Sequence, residues 1–102
     1  MLWKALLDQA IWSNNTYLNR ADLNHYLANG YCAADPGAPA SHYSASCTLA
    51  YAFDDWALAE LSALLGKPAA LVAEFTQRSL SYRKIWEPEV RHFCPRYRCV
   101  RI

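Results

Sequence analysis

The sequence of 102 residues contains only three glycines, which excludes several common kinds of site. It has no glycine-rich loop of the type that cradles nucleotide phosphates, and no Gly-x-Ser-x-Gly nucleophile elbow. Its three histidines, His25, His42 and His92, are far apart and show neither HxxxH nor HExxH spacing. No apolar run approaches the roughly 18 residues that a membrane span requires. The pattern therefore predicts no nucleotide site, no histidine-based metal site and no membrane partner.

Cysteine is present but in no recognisable metal-binding arrangement. Cys32, Cys47, Cys94 and Cys99 include no CxxC pair, and their spacing is not that of a zinc finger or knuckle. Four cysteines allow three disulfide pairings, among which spacing alone does not choose. Free or singly paired thiols are favoured over zinc ligands, so no metal ligand is predicted in this chain.

The composition is that of one small globular domain. Hydrophobic residues make up 54% and charged residues 19% of the chain. Residues 1–77 carry three basic and seven acidic side chains, a balance of −4, whereas residues 78–102 carry seven and two, a balance of +5. The basic residues of this tail are scattered among apolar ones and form no nucleic-acid docking motif. A nucleic-acid partner is therefore not predicted.

Apolar residues at helical spacing predict an all-α fold of three to four helices. The predicted segments are 1–12, 20–28, 46–65 and 68–86, with a Pro- and Gly-containing loop over 31–46. Ser44 and Ser46 are candidate N-caps of the third helix, and Pro68 suits the first turn of the fourth. Glu87 and Pro88 are expected to end that last helix.

The third helix is apolar on two faces. At about 100° per residue, one face carries Leu49, Phe53, Trp56, Ala63 and Leu64, and a nearly opposite face carries Leu58, Leu61 and Leu65. A helix of this kind is normally buried between neighbours on both sides. A chain of this length supplies few such neighbours.

Polar residues on the same helix are the candidates for chemistry. Asp54 and Asp55 are adjacent, so their side chains diverge by about 100° and cannot flank one glycosidic bond as an acid and base pair. Tyr51 and Asp55, at positions i and i+4, form a polar strip with Ser62. This strip either binds a hydroxylated ligand or bonds to neighbouring segments. Glu60 either has a perturbed pKa of functional use or reaches a cation or solvent.

Four segments occur in an order and spacing that resemble a known family. They are the helix from Ser46 to Trp56, the turn from Leu64 to Lys67, the stretch from Arg78 to Glu89, and Phe93-Cys94-Pro95-Arg96. Together they resemble family 92 of the glycoside hydrolases, the calcium-dependent α-mannosidases. The resemblance is strongest over residues 20–96, with Ala50 where the family commonly has Glu and Glu87 where it commonly has Asp.

The resemblance implies that residues 1–102 are a fragment of a catalytic domain, part of an (α/α)6 toroid. The implied enzyme is an inverting α-mannosidase that acts on N-glycans or mannans with a bound calcium ion, a Glu acid and an Asp base. The motifs for these groups are expected beyond residue 102, and a mannose-contacting motif is expected before residue 1. No catalytic residue is therefore assigned, and the chain alone is expected to be inactive. Its expected partners are α-mannoside glycans and the remainder of the catalytic domain. The residues after Arg96 leave the family pattern, which suggests truncation or a shifted reading frame.

Four residues are predicted to bind substrate: Tyr51, Asp54, Asp55 and Trp56. The alternative hypothesis is not enzymatic. It is a small helical interaction module, whose exposed apolar face and basic C-terminal tail bind a partner protein.

Overall fold

The structure is a computed structural model that describes residues 2–11 and 20–97. This part of the chain contains four α-helices: α1 (Leu2–Ile11), α2 (Leu23–Asn29), α3 (Ser44–Leu64) and α4 (Ala69–Arg78). Two 3-10 helices, Ser41–Tyr43 and Ser79–Lys84, precede α3 and follow α4. A short antiparallel hairpin joins β1 (Trp86–Glu87) to β2 (His92–Phe93). The predicted helical fold is confirmed, with this small hairpin as an addition.

The beginning of α3 differs from the prediction. The 3-10 helix runs directly into α3, so Tyr43 occupies the N-cap position and makes no side-chain capping bond. Ser44 is already inside the helix, where its carbonyl accepts a hydrogen bond from the Thr48 hydroxyl at 2.9 Å. The N-cap assignments of Ser44 and Ser46 were therefore wrong. The preceding 3-10 turn, in which the Tyr43 amide bonds to the Ala40 carbonyl, starts the helix instead.

The connection between α3 and α4 follows the predicted turn. Gly66 adopts a φ of 72°, a left-handed conformation that glycine accepts without steric cost, and the Lys67 amide bonds back to the Ser62 carbonyl. Pro68 lies immediately before α4. However, α4 ends at Arg78 rather than near residue 86. The hydroxyls of Ser79 and Ser81 bond to backbone carbonyls of the preceding turn and so compete with continued α-helix.

Helix α3 organises two small hydrophobic clusters, one at each end. The cluster near its N-terminal half consists of Leu23, Tyr26, Cys32, Ala40, Cys47 and Tyr51. The cluster near its C-terminal half consists of Ala10, Leu58, Ala59 and Phe75, with half-buried residues of α1 and α4 packed against it. Because α1, α4 and the second 3-10 helix all contact α3, this helix is the central element of the described structure.

The segment 31–40 is tied across α3 and to the end of the described chain. The Cys32 amide donates to Thr48 Oγ1 at 2.9 Å, and the Ala33 amide donates to Asp22 Oδ2 at 2.8 Å. The Ala34 amide reaches the Arg96 carbonyl at 2.8 Å. These bonds hold the segment against the first half of α3, beside the polar strip. Across the described residues, no helix combines the length and apolarity needed to cross a membrane.

Candidate functional site

The polar strip of α3 is buried and centred on Asp55. The Asp55 side chain is completely buried, and its Oδ1 lies 2.6 Å from the Arg20 guanidinium, whose side chain is only 8% exposed. The Tyr26 hydroxyl donates to Asp55 Oδ2 at 2.9 Å. Arg20, Tyr26 and Asp55 are called the Asp55 cluster below. They come from the segment before α2, from α2 and from α3, so the cluster joins three parts of the chain.

Burial governs the ionisation of this cluster. Loss of solvation raises the pKa of the Asp55 carboxyl from its ordinary value, and the Arg20 guanidinium and the Tyr26 hydroxyl oppose that shift. Burial, and then the nearby Asp55 charge, also raises the pKa of Tyr26 far above its usual range. The Tyr26 hydroxyl therefore stays protonated and remains a donor at neutral pH.

Tyr51 and Ser62, the other members of the strip, also bond to neighbouring segments. The Tyr51 hydroxyl donates to the Ala21 carbonyl at 2.9 Å, and the Arg20 guanidinium lies 5.1 Å from the centre of the Tyr51 ring. Ser62 is buried and accepts a hydrogen bond from the Trp3 indole at 2.7 Å. Of the two interpretations of the strip, these contacts support bonding to neighbouring segments. The prediction that Tyr51 and Asp55 also bind substrate stays a prediction.

Asp54 and Trp56 lie on the outside of the same helix. Asp54 is exposed, and Trp56 is half exposed. The structure thus brings Tyr51 and Asp55 together in the interior and leaves Asp54 and Trp56 at the surface, as their helical positions require. Glu60 is also exposed, which agrees with the interpretation that its carboxylate reaches solvent.

An aromatic groove runs beside Trp56. It has a volume of about 470 Å³, and its walls come from α3, the second 3-10 helix and the hairpin. Its large lining side chains are Leu49, Phe53, Trp56, Leu80, Tyr82 and Phe93. The Phe53 and Trp56 rings are 5.7 Å apart, and Trp86 packs edge-on against Phe93 at 5.0 Å. Exposed aromatic rings of this kind offer flat apolar surfaces on which the apolar C–H groups of a ligand can pack.

Asp54 and Asp55 of α3 do not form a hydrolytic pair. Glycoside hydrolysis by two carboxyl groups requires both to face the same bond. Asp55 is buried and engaged by Arg20, whereas its neighbour Asp54 faces solvent. The arrangement can therefore position α3 and present a binding surface, but these two carboxylates do not act together as acid and base.

Metal ligands are likewise not gathered in the part of the chain that the structure describes. Within residues 2–11 and 20–97, no group of three His, Cys, Asp or Glu side chains could hold a metal ion. Calcium requires six to eight oxygen ligands. The residues described do not fit the calcium ion that the family resemblance implies, and no step is assigned to a metal on these residues.

Sequence reasoning missed the residues that complete these features. Arg20 and Tyr26 partner Asp55, and Tyr82 and Phe93 form the far wall of the groove. One signal pointed to Arg20: it is the only Lys or Arg between Lys4 and Lys67. A buried carboxylate on α3 therefore had one candidate cation in the segment between Lys4 and the helix. No comparable signal pointed to Tyr82 or Phe93.

Two comparisons with known proteins bear on the chain. The family model described as the glycosyl hydrolase family 92 catalytic domain matches residues 1–100. A search of curated proteins finds no match. The family match covers the whole described structure, including the Asp55 cluster and the aromatic groove.

Proposed function

Because the chain belongs to glycosyl hydrolase family 92, we propose that it is a helical part of the catalytic domain of an inverting α-mannosidase. The substrates would be α-mannosides of N-glycans or mannans. The observation that carries this proposal is the family match, which extends over residues 1–100. Family membership implies glycosidic substrates in general. The α-mannoside substrate, the inverting stereochemistry and the toroidal fold go beyond family membership and are proposed here.

The exposed residues of α3 are the ones proposed to meet the glycan. Trp56 offers a half-exposed ring at the aromatic groove, and the exposed carboxylate of Asp54, two positions earlier on α3, offers an acceptor for sugar hydroxyls. Tyr51 and Asp55 belong to the same predicted substrate-binding set. Their burial supports a positioning role, in which the Asp55 cluster holds α3 so that Trp56 keeps its place at the groove.

The catalytic acid, the catalytic base and the calcium ion are proposed to lie in the remainder of the catalytic domain. Calcium would bind sugar hydroxyls there, and the described residues would contribute no ligand to it. It follows that the 102-residue chain alone should not hydrolyse α-mannosides. An assay of the purified chain with an aryl α-mannoside tests this directly, and turnover above the uncatalysed rate would refute it.

The intact mass of the protein isolated from its native source is the first measurement to make. A mass well above the 11.6 kDa of this chain supports the proposal. The larger protein can then carry Trp56→Ala, which should lower kcat/KM by roughly 3- to 10-fold through lost ring contact with the sugar. Val90→Ala, an exposed substitution on the hairpin outside the groove, is the control and should leave kcat/KM unchanged.

The exposed apolar side chains favour a second candidate, a helical interaction module. Phe53 and Leu64 on α3 are 64% and 85% exposed, and the exposed cations Arg83, Lys84 and Arg91 lie near or on the hairpin. A module of this kind should be monomeric and unfold cooperatively as 102 residues. A piece of a toroid should instead self-associate through its exposed apolar side chains. Sedimentation of the purified chain distinguishes the two.

A further inference from the structure

Two cysteines outside the exposed groove lie in one buried cluster of the interior. Cys32 and Cys47 both belong to it, with exposures of 0% and 6%. Neither takes part in the Asp55 cluster or in the groove. Both are free thiols in this structure.

The backbone around the two thiols is held in place by independent bonds. The Cys32 amide donates to Thr48 Oγ1, so Cys32 is tied to the residue that follows Cys47 on α3. On the other side of Cys32, the Ala33 amide is bonded to Asp22. The first bond ties Cys32 to α3, and the second ties Ala33 to the residue before α2. The backbone that carries Cys32 is therefore held next to the turn of α3 that carries Cys47.

We propose that Cys32 and Cys47 are a cross-linking site, at which a low-molecular-weight disulfide such as oxidised glutathione converts the two thiols into one disulfide bond. The bond would fasten segment 31–40 to α3. Because the site is apart from the aromatic groove, this proposal is independent of the proposed glycan binding.

The chemistry is a balanced double exchange. The Cys47 thiolate attacks one sulfur of the small disulfide, forms a mixed disulfide and releases one small thiol. The Cys32 thiol then loses its proton and attacks the Cys47 sulfur, which releases the second small thiol. Two protein thiols are thus oxidised and one small disulfide is reduced to two thiols.

Cys47 is the thiol suited to react first. The neighbouring Cys32 thiol lowers the pKa of Cys47, whereas Cys47 and burial raise the pKa of Cys32. The Cys47 side chain is also the one of the pair with residual exposure, so a small disulfide reaches it with the smaller opening of segment 31–40.

The fold also separates this pair from another described cysteine. Cys94 lies just after β2, where its amide bonds to the Ile85 carbonyl, and it is not part of the buried cluster. In an unfolded chain a different pair of cysteines is favoured to form a disulfide. Cys94 and Cys99 are five residues apart, and Cys32 and Cys47 are fifteen apart, so the shorter loop closes more easily. The folded chain should therefore form the Cys32–Cys47 disulfide, whereas the unfolded chain should favour the Cys94–Cys99 disulfide.

The test is disulfide mapping of the purified 102-residue chain. The chain is incubated with a mixture of oxidised and reduced glutathione, both in native buffer and in about 6 M guanidinium chloride, then alkylated, digested and analysed by mass spectrometry. In native buffer the peptide linking Cys32 to Cys47 should be the main product. In guanidinium chloride the link between Cys94 and Cys99 should predominate.

Variants complete the design. Cys47→Ser should abolish the native product and leave Cys32 open to alkylation, whereas Cys94→Ser should not reduce it. The cross-link should also raise the midpoint of thermal unfolding by roughly 10 °C, because it removes the freedom of a loop of fifteen residues from the unfolded chain. Three results would overturn the proposal: Cys32 and Cys47 fully alkylated after native oxidation, links mainly to Cys94 or Cys99, or the same products with and without denaturant.

Discussion

Asp55 and Arg20 form an ion pair with an oxygen-to-nitrogen distance of 2.6 Å, and both side chains are almost fully buried. Such a pair is weak evidence of net stabilisation, because desolvation offsets much of the attraction. Removing one partner is a different matter, since it leaves the other charge buried without compensation. The cluster should therefore be sensitive to single substitutions and tolerant of paired ones.

The first prediction concerns the buried carboxylate of Asp55. Asp55→Ala should destabilise the chain by about 3–5 kcal/mol, because Arg20 loses its counter-ion and Tyr26 loses its acceptor. The measurement is urea unfolding followed by circular dichroism. Asp54→Ala, at the neighbouring exposed position, is the matched control and should change stability by about 0.5 kcal/mol or less. Similar losses in both variants would contradict the role of the ion pair.

The second prediction concerns pH and Tyr26. Burial and the Asp55 charge raise the pKa of Tyr26 in the folded chain, whereas the unfolded chain titrates near the ordinary value of about 10. The stability that the Tyr26 proton provides is thus fully present below pH 10 and is lost as the pH rises above it. Between about pH 10 and 12, the slope of stability against pH should be less steep in Tyr26→Phe, by up to about 1.4 kcal/mol per pH unit.

Urea unfolding at a series of alkaline pH values measures this slope. Phe75→Leu is the control, because it weakens the core without removing a titratable group. It should lower stability at every pH and leave the slope as in the parent chain. An unchanged slope in Tyr26→Phe would show that this hydroxyl does not titrate differently on folding.

Among the elements, α4 contributes one fully buried side chain to its contact with α3. Phe75 is completely buried and packs in the cluster that contains Ala10, Leu58 and Ala59. Arg78 adds a second link, since its guanidinium donates to the Ala10 carbonyl at 3.0 Å and so connects α4 to the end of α1. The C-terminal half of α3 thus holds two helices that contribute few other buried residues.

The third prediction tests this attachment. Phe75→Ala should cost about 3–5 kcal/mol, because it removes buried apolar area and leaves a cavity between the helices. Thr76→Ala is the matched control at the next position of the same helix, where the exposed hydroxyl bonds only within its own turn. It should be nearly neutral in urea unfolding. A loss below about 1 kcal/mol for Phe75→Ala would mean that α4 is not held by this contact.

At the scale of the whole molecule, one face of the central helix is exposed among the described residues. Phe53, Trp56 and Leu64 on this face are half exposed or more, and the exposed Glu60 lies among them. Large exposed apolar patches are typical of surfaces that contact another protein or another part of the same one. This exposure fits the proposal that further parts of a catalytic domain cover α3, since residues 2–11 and 20–97 supply neighbours mainly on its other side.

The fourth prediction is made at this scale. The double variant Phe53→Gln, Leu64→Gln should reduce self-association of the chain, because it removes exposed apolar area without disturbing buried contacts. Sedimentation velocity measures the monomer fraction, and circular dichroism should show unchanged helix content. Glu60→Gln, an exposed polar substitution on the same helix, should leave association as it is. Equal self-association of the parent chain, the double variant and Glu60→Gln would show that the associating surface lies elsewhere.

The sequence by itself determined where most helices lie and which family the chain resembles. Helical periodicity is a local property of the sequence. The break at Gly66, Lys67 and Pro68 is also local, because glycine and proline disfavour the continuation of a helix. The motifs from Ser46 to Arg96 carried the family, and the match over residues 1–100 confirms it. The end of α4 was less predictable, because serine hydroxyls that bond to the preceding turn compete with a periodicity that continues to Trp86.

Only the tertiary structure decided which face of α3 is buried. Two faces of the helix are apolar, so periodicity alone could not rank them. The outcome depended on residues far along the chain: Trp3 reaches Ser62, Arg20 reaches Asp55, and Phe75 covers Leu58. With these partners the polar strip became interior, and the face with Phe53 and Trp56 was left exposed. A buried polar group is stable where it has a hydrogen-bond or ion-pair partner. Whether a distant residue becomes that partner is decided by the fold.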